Sequence, residues 1–525
     1  MYDIIIKNGL VYDGKRNPAQ IRDIGIKGDQ IVVFGKISDQ ETREIIDASG
    51  LVVAPGFIDI HGHSDFRILK GRGADSKIRQ GVTTEVMGNC GFSAFPVYGE
   101  CQIHMQELYP QIKIDWNSLA EYSKKIDEKQ TALNLVPLIG HGNIRASILG
   151  YKDCSVKGAD LEKMGDLLRR TLDEGAFGLS TGLIYPPGVY SNLKELDYLA
   201  SIVAKYKGIY TSHMRSESDR LLEAIKETIT IGKESGVSLQ ISHLKTGGKK
   251  NWHKIEEVFL LIEDERNAGR DVTCDRYPYT ASATDLDSLL PAWTYEGGNE
   301  KELERLKDKQ QRKKIEQEIL EEREDDPGYW DRVWVSSVTR EENYRFEGKS
   351  IRKIAEQLGK RPLEALIDLL IEEKLQVSAI FFAMSEENLK KIVRKEYTMI
   401  GSDSSIRYPG DHFGKSHPRA FGTFPRAIYL SQKIDISLED MIYKMTGFPA
   451  KKLGLKKRGI IKESAYADIV IFDLECFKDR ATYEDPHQSP LGIKYLFVNG
   501  KRVLKEDRQE RSVFSGRLLK RGEDN

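Results

Sequence analysis

The sequence predicts an α/β fold, a (β/α)8 TIM barrel with a small β-sandwich domain built from both chain ends. Three observations predict it. Eight short apolar, β-branched runs alternate with helical patterns through the middle of the chain, as parallel strands joined by crossovers do. Strand-and-turn texture without a helical period fills residues 1 to about 54 and returns only near the carboxyl terminus. Residues of metal-ligand type stand at the ends of several runs, and in a barrel those ends meet on one face. The alternation alone also fits an open doubly wound sheet.

At 525 residues the chain is long enough for one large domain and a smaller one. The expected division is 1–54 and 455–525 for the sandwich and 55–454 for the barrel. In the amino-terminal part Asp3–Ile6, Leu10–Tyr12 and Ile31–Phe34 read as strands, with Lys7-Asn8-Gly9 as a turn. The eight barrel runs are 56–61, 84–87, 133–139, 177–180, 209–212, 238–242, 271–275 and 398–402. Leu193 to Tyr206 and Ser218 to Ser235 carry helical periods, the latter with an apolar stripe and an opposite charged face. Runs seven and eight are separated by an insertion, 281–397. Its dense charged stretch, Glu300 to Asp326, reads as a solvated helix. Long insertions on this face of a barrel often cover the site, so part of 281–397 is expected to be a lid. Near the carboxyl terminus, Ala467–Asp473 and Ile493–Leu504 return to strand texture.

Composition narrows the function. Lys+Arg is 80 against Asp+Glu 81, a net charge of -1, which gives no electrostatic case for nucleic acid or an anionic membrane as partner. Five cysteines, an odd number in a long chain, argue for a reducing, cytoplasmic setting over a disulfide framework. The first residues show no leader pattern, and no apolar run approaches the ~18 residues of a membrane span. A homo-oligomer is compatible with this composition.

The first run ends in His61-Gly62-His63. In a strand, residues two apart face the same side, so both imidazoles point together. The second run ends Gly88-Asn89-Cys90-Gly91, where glycines leave room for close backbone approach to the cysteine. His213 and His243, each preceded by Ser, end runs five and six. Asp403 follows run eight as a ligand or as a helix cap. His141 either lines the site or is structural. His253, His412 and His487 read as surface or loop residues, and Cys101, Cys154, Cys274 and Cys476 as structural. A thiolate with imidazoles favours zinc. Zinc would bring the pKa of bound water to roughly 7 and polarise a carbonyl. Asp403 would then be general base and later protonate the departing nitrogen. This chemistry is metal-assisted hydrolysis of an amide or a related bond.

Further motifs join these: Pro55 to Asp65, Gly81-Val82-Thr83-Thr84-Glu85, Gly182 to Pro187, Ser242 to Lys245, Tyr277-Pro278-Tyr279, Gly401-Ser402-Asp403, His417-Pro418-Arg419 and Gly422 to Arg426. Together, over nearly the whole chain, they resemble the amidohydrolase superfamily and within it the D-aminoacylases, or N-acyl-D-amino-acid deacylases. Many relatives place a carboxylated lysine on strand four. Here that strand, Phe177 to Thr181, has none, and the resemblance gives its role to Cys90. It implies a small-molecule substrate, an N-acyl-D-amino acid cleaved to a carboxylate and a free D-amino acid. It implies a tight zinc site of Cys90, His213 and His243, and a second, weaker position of His61, His63 and Asp403. Arg419 and Lys245 would bind the substrate carboxylate, and Tyr185 and Tyr279, the latter preferred over Tyr277, would offer hydroxyls. The alternatives are a hydrolase of dipeptides with a C-terminal D-residue, a cyclic amidase of the dihydropyrimidinase or hydantoinase kind, and a non-catalytic assembly protein.

Overall fold

The computed structural model describes residues 1–38, 42–323, 326–408, 410–412, 414–510 and 512–523. All eight expected runs are strands: β1 (Phe57–Asp59), β2 (Val82–Met87), β3 (Asn134–Pro137), β4 (Gly178–Gly182), β5 (Ile209–His213), β6 (Ser238–Ile241), β7 (Val272–Arg276) and β8 (Thr398–Ile400). Every described pairing between them is parallel. Strand β3 meets β4 through its extension Ile139–Gly140 and through Phe177 N donating to Pro137 O at 2.9 Å. Strands β8 and β1 close the ring just past their ends, where Asp403 N donates to His61 O at 2.7 Å and His63 N to Ser404 O at 3.2 Å. The runs are largely apolar because helices cover the outside while side chains fill the inside; all six residues of β2 are buried, the polar Thr83, Thr84 and Glu85 among them.

The crossover helices form where the patterns place them. Leu193–Lys205 starts at Asn192, whose side chain accepts from Glu195 N, and buries Leu196, Leu199 and Val203. Leu221–Ser235 stops at Gly236, whose φ of 69° suits glycine.

Five strands before the barrel and four after it join in one connected nine-stranded sheet. Val52–Pro55 is the link, antiparallel to Ile469–Phe472. Its core holds Ile4, Ile6, Ile24, Ile26, Val53, Ile469 and Ile471. The final stretch departs from the expected division. Leu135 N donates to Arg517 O and Leu519 N to Leu135 O, both at 2.8 Å, so this segment lies along β3 of the barrel. Leu518 and Leu519, two apolar residues in a polar tail, are buried there. As a division of the chain we therefore propose 1–54 with 455 to about 510 for the end sheet, and the remainder with the barrel.

The insertion has its own antiparallel sheet, Ser282–Asp285, Ser378–Phe381 and Val333–Ser337, and its own apolar core, with Leu286, Leu306, Ile315, Ile319, Leu366 and Leu370. The charged run is two helices, Asn299–Lys307 and Lys309–Arg323. Asp308 divides them and accepts from Gln310 N and Gln311 N. It is not wholly solvated, because Leu306, Ile315 and Ile319 bury one side of it. Glu324 and Asp325 of that run lie outside the described residues. Among the described residues no helix is long and apolar enough to cross a membrane.

Candidate metal centre and active site

The ends of β1, β2, β5, β6 and β8 bring the expected donors together. Cys90 Sγ lies 3.3 Å from His61 Nε2 and 3.5 Å from His243 Nε2. His213 Nδ1 is 2.9 Å from His243 Nε2. Asp403 Oδ1 is 3.0 Å from His63 Nε2 and 3.5 Å from His61 Nε2. Donor atoms of His61, Cys90, His243 and Asp403 all lie within 4.8 Å of one another. All these residues are buried except His63 and Cys90, which are partly exposed.

Local backbone makes this convergence fit. Cys90, His243 and Asp403 have φ of 54°, 34° and 49°. Side chains other than glycine's rarely sit there, and each such residue costs about 1–3 kcal/mol unless its surroundings enforce it. The glycines beside Cys90 are required by contact. A Cβ on Gly88 would stand 2.1 Å from Leu138 O, and one on Gly91 2.5 Å from Gly182 N. The chain thus turns over the barrel mouth with the thiol inward.

Charge follows from geometry. Burial would raise the Cys90 thiol, but the neighbouring His61 and His243 bring it well below its usual range. Cys101 and Cys274, buried without such neighbours, are pushed up to about 12. Burial also opposes charge on His61, which Asp275 and the Cys90 thiolate overcome. Burial would raise the Asp403 carboxyl, yet Arg419 first, then His243 and His63, hold it well below the usual range.

The donor set fits a divalent cation of intermediate softness: one thiolate, imidazoles and a carboxylate. His213 Nε2 is buried without a hydrogen-bond partner, a second sign of a site made for a ligand. Outer groups orient the imidazoles, as metal sites require. His61 Nδ1 donates to Asp275 Oδ1 at 3.0 Å, and His243 Nδ1 lies 2.8 Å from Glu217 Oε1.

The expected substrate residues are divided. Arg419 is at the site, with Nη1 donating to Asp403 Oδ2 at 2.8 Å and Nη2 to Ala283 O at 3.1 Å. Lys245 is there too, though its ammonium donates to Glu217 Oε1 at 2.5 Å. The Tyr185 ring packs against His213, with centroids 5.1 Å apart, and its hydroxyl meets Thr284 of the insertion. Tyr279 is a correction. Its hydroxyl turns away to Asp479, 3.4 Å off, while Arg419 stacks over the Tyr277 ring at 4.7 Å. The Tyr277 hydroxyl is buried and unpartnered. Both tyrosines lie past Arg276, where the chain leaves β7. His141 belongs to a buried pairing instead, 2.8 Å from Glu195 Oε1.

Sequence reasoning missed Glu217, Asp275, Lys77 and Asp59. Glu217 is four residues past His213, and Asp59 two before His61 on the same strand. Carboxylates at these offsets from strand-end histidines are the signal that was there to use.

A closed eight-stranded barrel with imidazoles, a thiolate and a carboxylate at its carboxyl-terminal mouth defines a metal-dependent hydrolase. Comparison with known proteins narrows the class. The chain matches the Amidohydrolase family over residues 44–288 and 315–504. It is 32% identical to a D-aminoacylase of Alcaligenes xylosoxydans xylosoxydans, over 96% of this chain and 95% of that one. An N-acyl-D-glutamate deacylase of the same organism is 31% identical, over 99% and 96%. Among solved structures, N-acyl-D-glutamate deacylase from Bordetella bronchiseptica, complexed with zinc and a phosphonate inhibitor, superposes with a TM-score of 0.84 at 30% identity, covering 99% of both chains. L-hydantoinase from Arthrobacter aurescens, at 15% identity and a TM-score of 0.57, shares the fold alone. The chain belongs to the amidohydrolase family and, within it, to the D-aminoacylases. It is an enzyme, a metal-dependent amidohydrolase.

Proposed function

We propose that the protein hydrolyses the amide of N-acyl-D-amino acids, releasing a carboxylate and a free D-amino acid, with zinc as its metal. One observation carries this: the Cys90, His213 and His243 side chains share one opening with Asp403 and Arg419. Cys90, His213 and His243 are the tight ligands; His61, His63 and Asp403 form a weaker position. A zinc ion held by these residues would supply Lewis acidity, lowering the pKa of a water and polarising the scissile carbonyl.

The protein's own groups do the rest. Arg419, always charged and planar, pairs with the substrate carboxylate and fixes which face of the substrate's α-carbon meets the site. Lys245 adds a second positive charge, set in place by Glu217. Asp403 stays ionised because of Arg419 and the imidazoles, so it accepts a proton from the attacking water. It returns that proton to the amide nitrogen as the C–N bond breaks. Tyr185, packed against His213, offers its hydroxyl to the substrate. A cytoplasmic location agrees with the five free cysteines.

The test is release of free amine from N-acetyl-D- and N-acetyl-L-amino acids by the zinc-loaded enzyme. Turnover of D-substrates alone is expected. Turnover confined to L-substrates, or to cyclic amides, contradicts the reading.

A further inference from the structure

Lys77 has no part in the chemistry above, yet it is one of the most enclosed charges in the molecule. It lies in the short helix Asp75–Ile78 with no exposed side-chain area. An ammonium has three protons to give, and each has a short acceptor: Asp59 Oδ2 at 2.6 Å, Ser402 Oγ at 2.7 Å and Ser404 O at 2.8 Å. Glu85 Oε2 adds charge at 3.4 Å.

Two of these acceptors belong to the residues on either side of Asp403. Asp59 reinforces the hold, since Oδ1 accepts from Ser402 N at 2.8 Å and Oδ2 from Ser402 Oγ at 2.6 Å. The backbone is thus fixed before and after a residue whose φ is 49°. An aspartate relaxes from that conformation unless its surroundings over-determine it. A buried ion pair is a poor route to stability, because well-packed apolar groups of the same volume often do as well. What this one supplies is a direction, spanning the seam where β8 meets β1. Glu85 closes it further: Ser64 N donates to its Oε1 at 3.1 Å, and Gly62 has no room for a Cβ against that carboxylate.

We infer that Lys77 is a positioning residue for Asp403, holding the Ser402 hydroxyl before it and the Ser404 carbonyl after it so that the carboxylate faces the reacting centre. This rests on the reading of Asp403 as the acid/base. The test compares zinc-loaded Lys77→Met, Ser402→Ala and Asp403→Asn enzymes on the N-acetyl-D-amino acid that the wild type turns over best. It records kcat per bound zinc, KM and the pH profile of kcat. Lys77→Met is expected to lower kcat per bound zinc about 100-fold, as a displacement near 1 Å does. KM should stay within about two-fold and the acid limb of kcat should move. Ser402→Ala, which removes the hydroxyl's bonds to Lys77 and Asp59 but no charge, should lower kcat about ten-fold in the same way. Unchanged kcat and acid limb in Ser402→Ala, or a Lys77→Met loss wholly explained by missing zinc or unfolded protein, overturns the inference. If Lys77→Met does not fold, Ser402→Ala alone decides. An active Asp403→Asn enzyme rejects the role of Asp403 itself, whatever Lys77 does.

Discussion

Cys90 shows how one residue's chemistry depends on its neighbours. Its thiol is brought down by two imidazoles, whereas Cys101 and Cys274 are held protonated by burial. Cys90→Ser should therefore cost most of the tightly held metal, a 10–100-fold or greater loss of affinity seen in a competition with a chromogenic chelator, while Cys274→Ser leaves affinity unchanged. Asp403→Asn should lower kcat by about 10²–10⁴-fold with little change in KM. Tyr277→Phe should raise KM and Tyr279→Phe should not, because the Tyr277 hydroxyl is buried beside Arg419 without a partner while that of Tyr279 donates to Asp479; equal effects in steady-state kinetics would reverse that assignment. The donors were legible because they are rare residue types at strand ends. Glu217 and Lys77 were not, because Glu and Lys are common and only three-dimensional contact separates a buried one from a solvated one. The choice between Tyr277 and Tyr279 was not legible, because both stand past Arg276, the last residue of β7, where no strand register orients them.

The barrel strands were the most legible elements, since a strand buried on both faces is rich in apolar and β-branched residues. The insertion was read as added material but not as a unit with its own core. Its charged helices hide apolar residues at wide spacing, and that weak stripe is lost among Glu, Lys and Arg. One element carries a pH signature. Glu302, 3% exposed in the helix Asn299–Lys307, has its carboxyl pushed up from 4.5 to about 9, first by burial and then by Asp287. A carboxyl raised in the folded state contributes stability that is full below its unfolded pKa and is lost as pH climbs through the folded one. The insertion should therefore weaken between about pH 5 and 9. Glu302→Gln, which mimics the neutral form, should be neutral at pH 5 and stabilising by roughly 1–3 kcal/mol at pH 8; denaturant melts at the two pH values check this. The insertion also reaches the site, through Ala283 on Arg419, Ala281 on His417 and Thr284 on Tyr185. Proteolysis within 281–397 should slow when a phosphonate substrate mimic is bound, and equal rates with and without it count against a lid.

At the scale of the whole molecule, the two chain ends form one sheet beside the barrel, and a final apolar pair returns to β3. The sequence showed the first feature through matching texture. The second was hidden because two leucines make no pattern. Everything proposed about function turns on one physical statement: distant residues place a sulfur and two imidazoles around a single cation. Anomalous diffraction at the zinc edge from crystals of the zinc-loaded enzyme tests it most directly. The account predicts a peak about 2.0–2.3 Å from Cys90 Sγ and from nitrogens of His213 and His243, with Asp403 facing it. A strongest peak away from the cysteine, or one held only by His61 and His63, would contradict it.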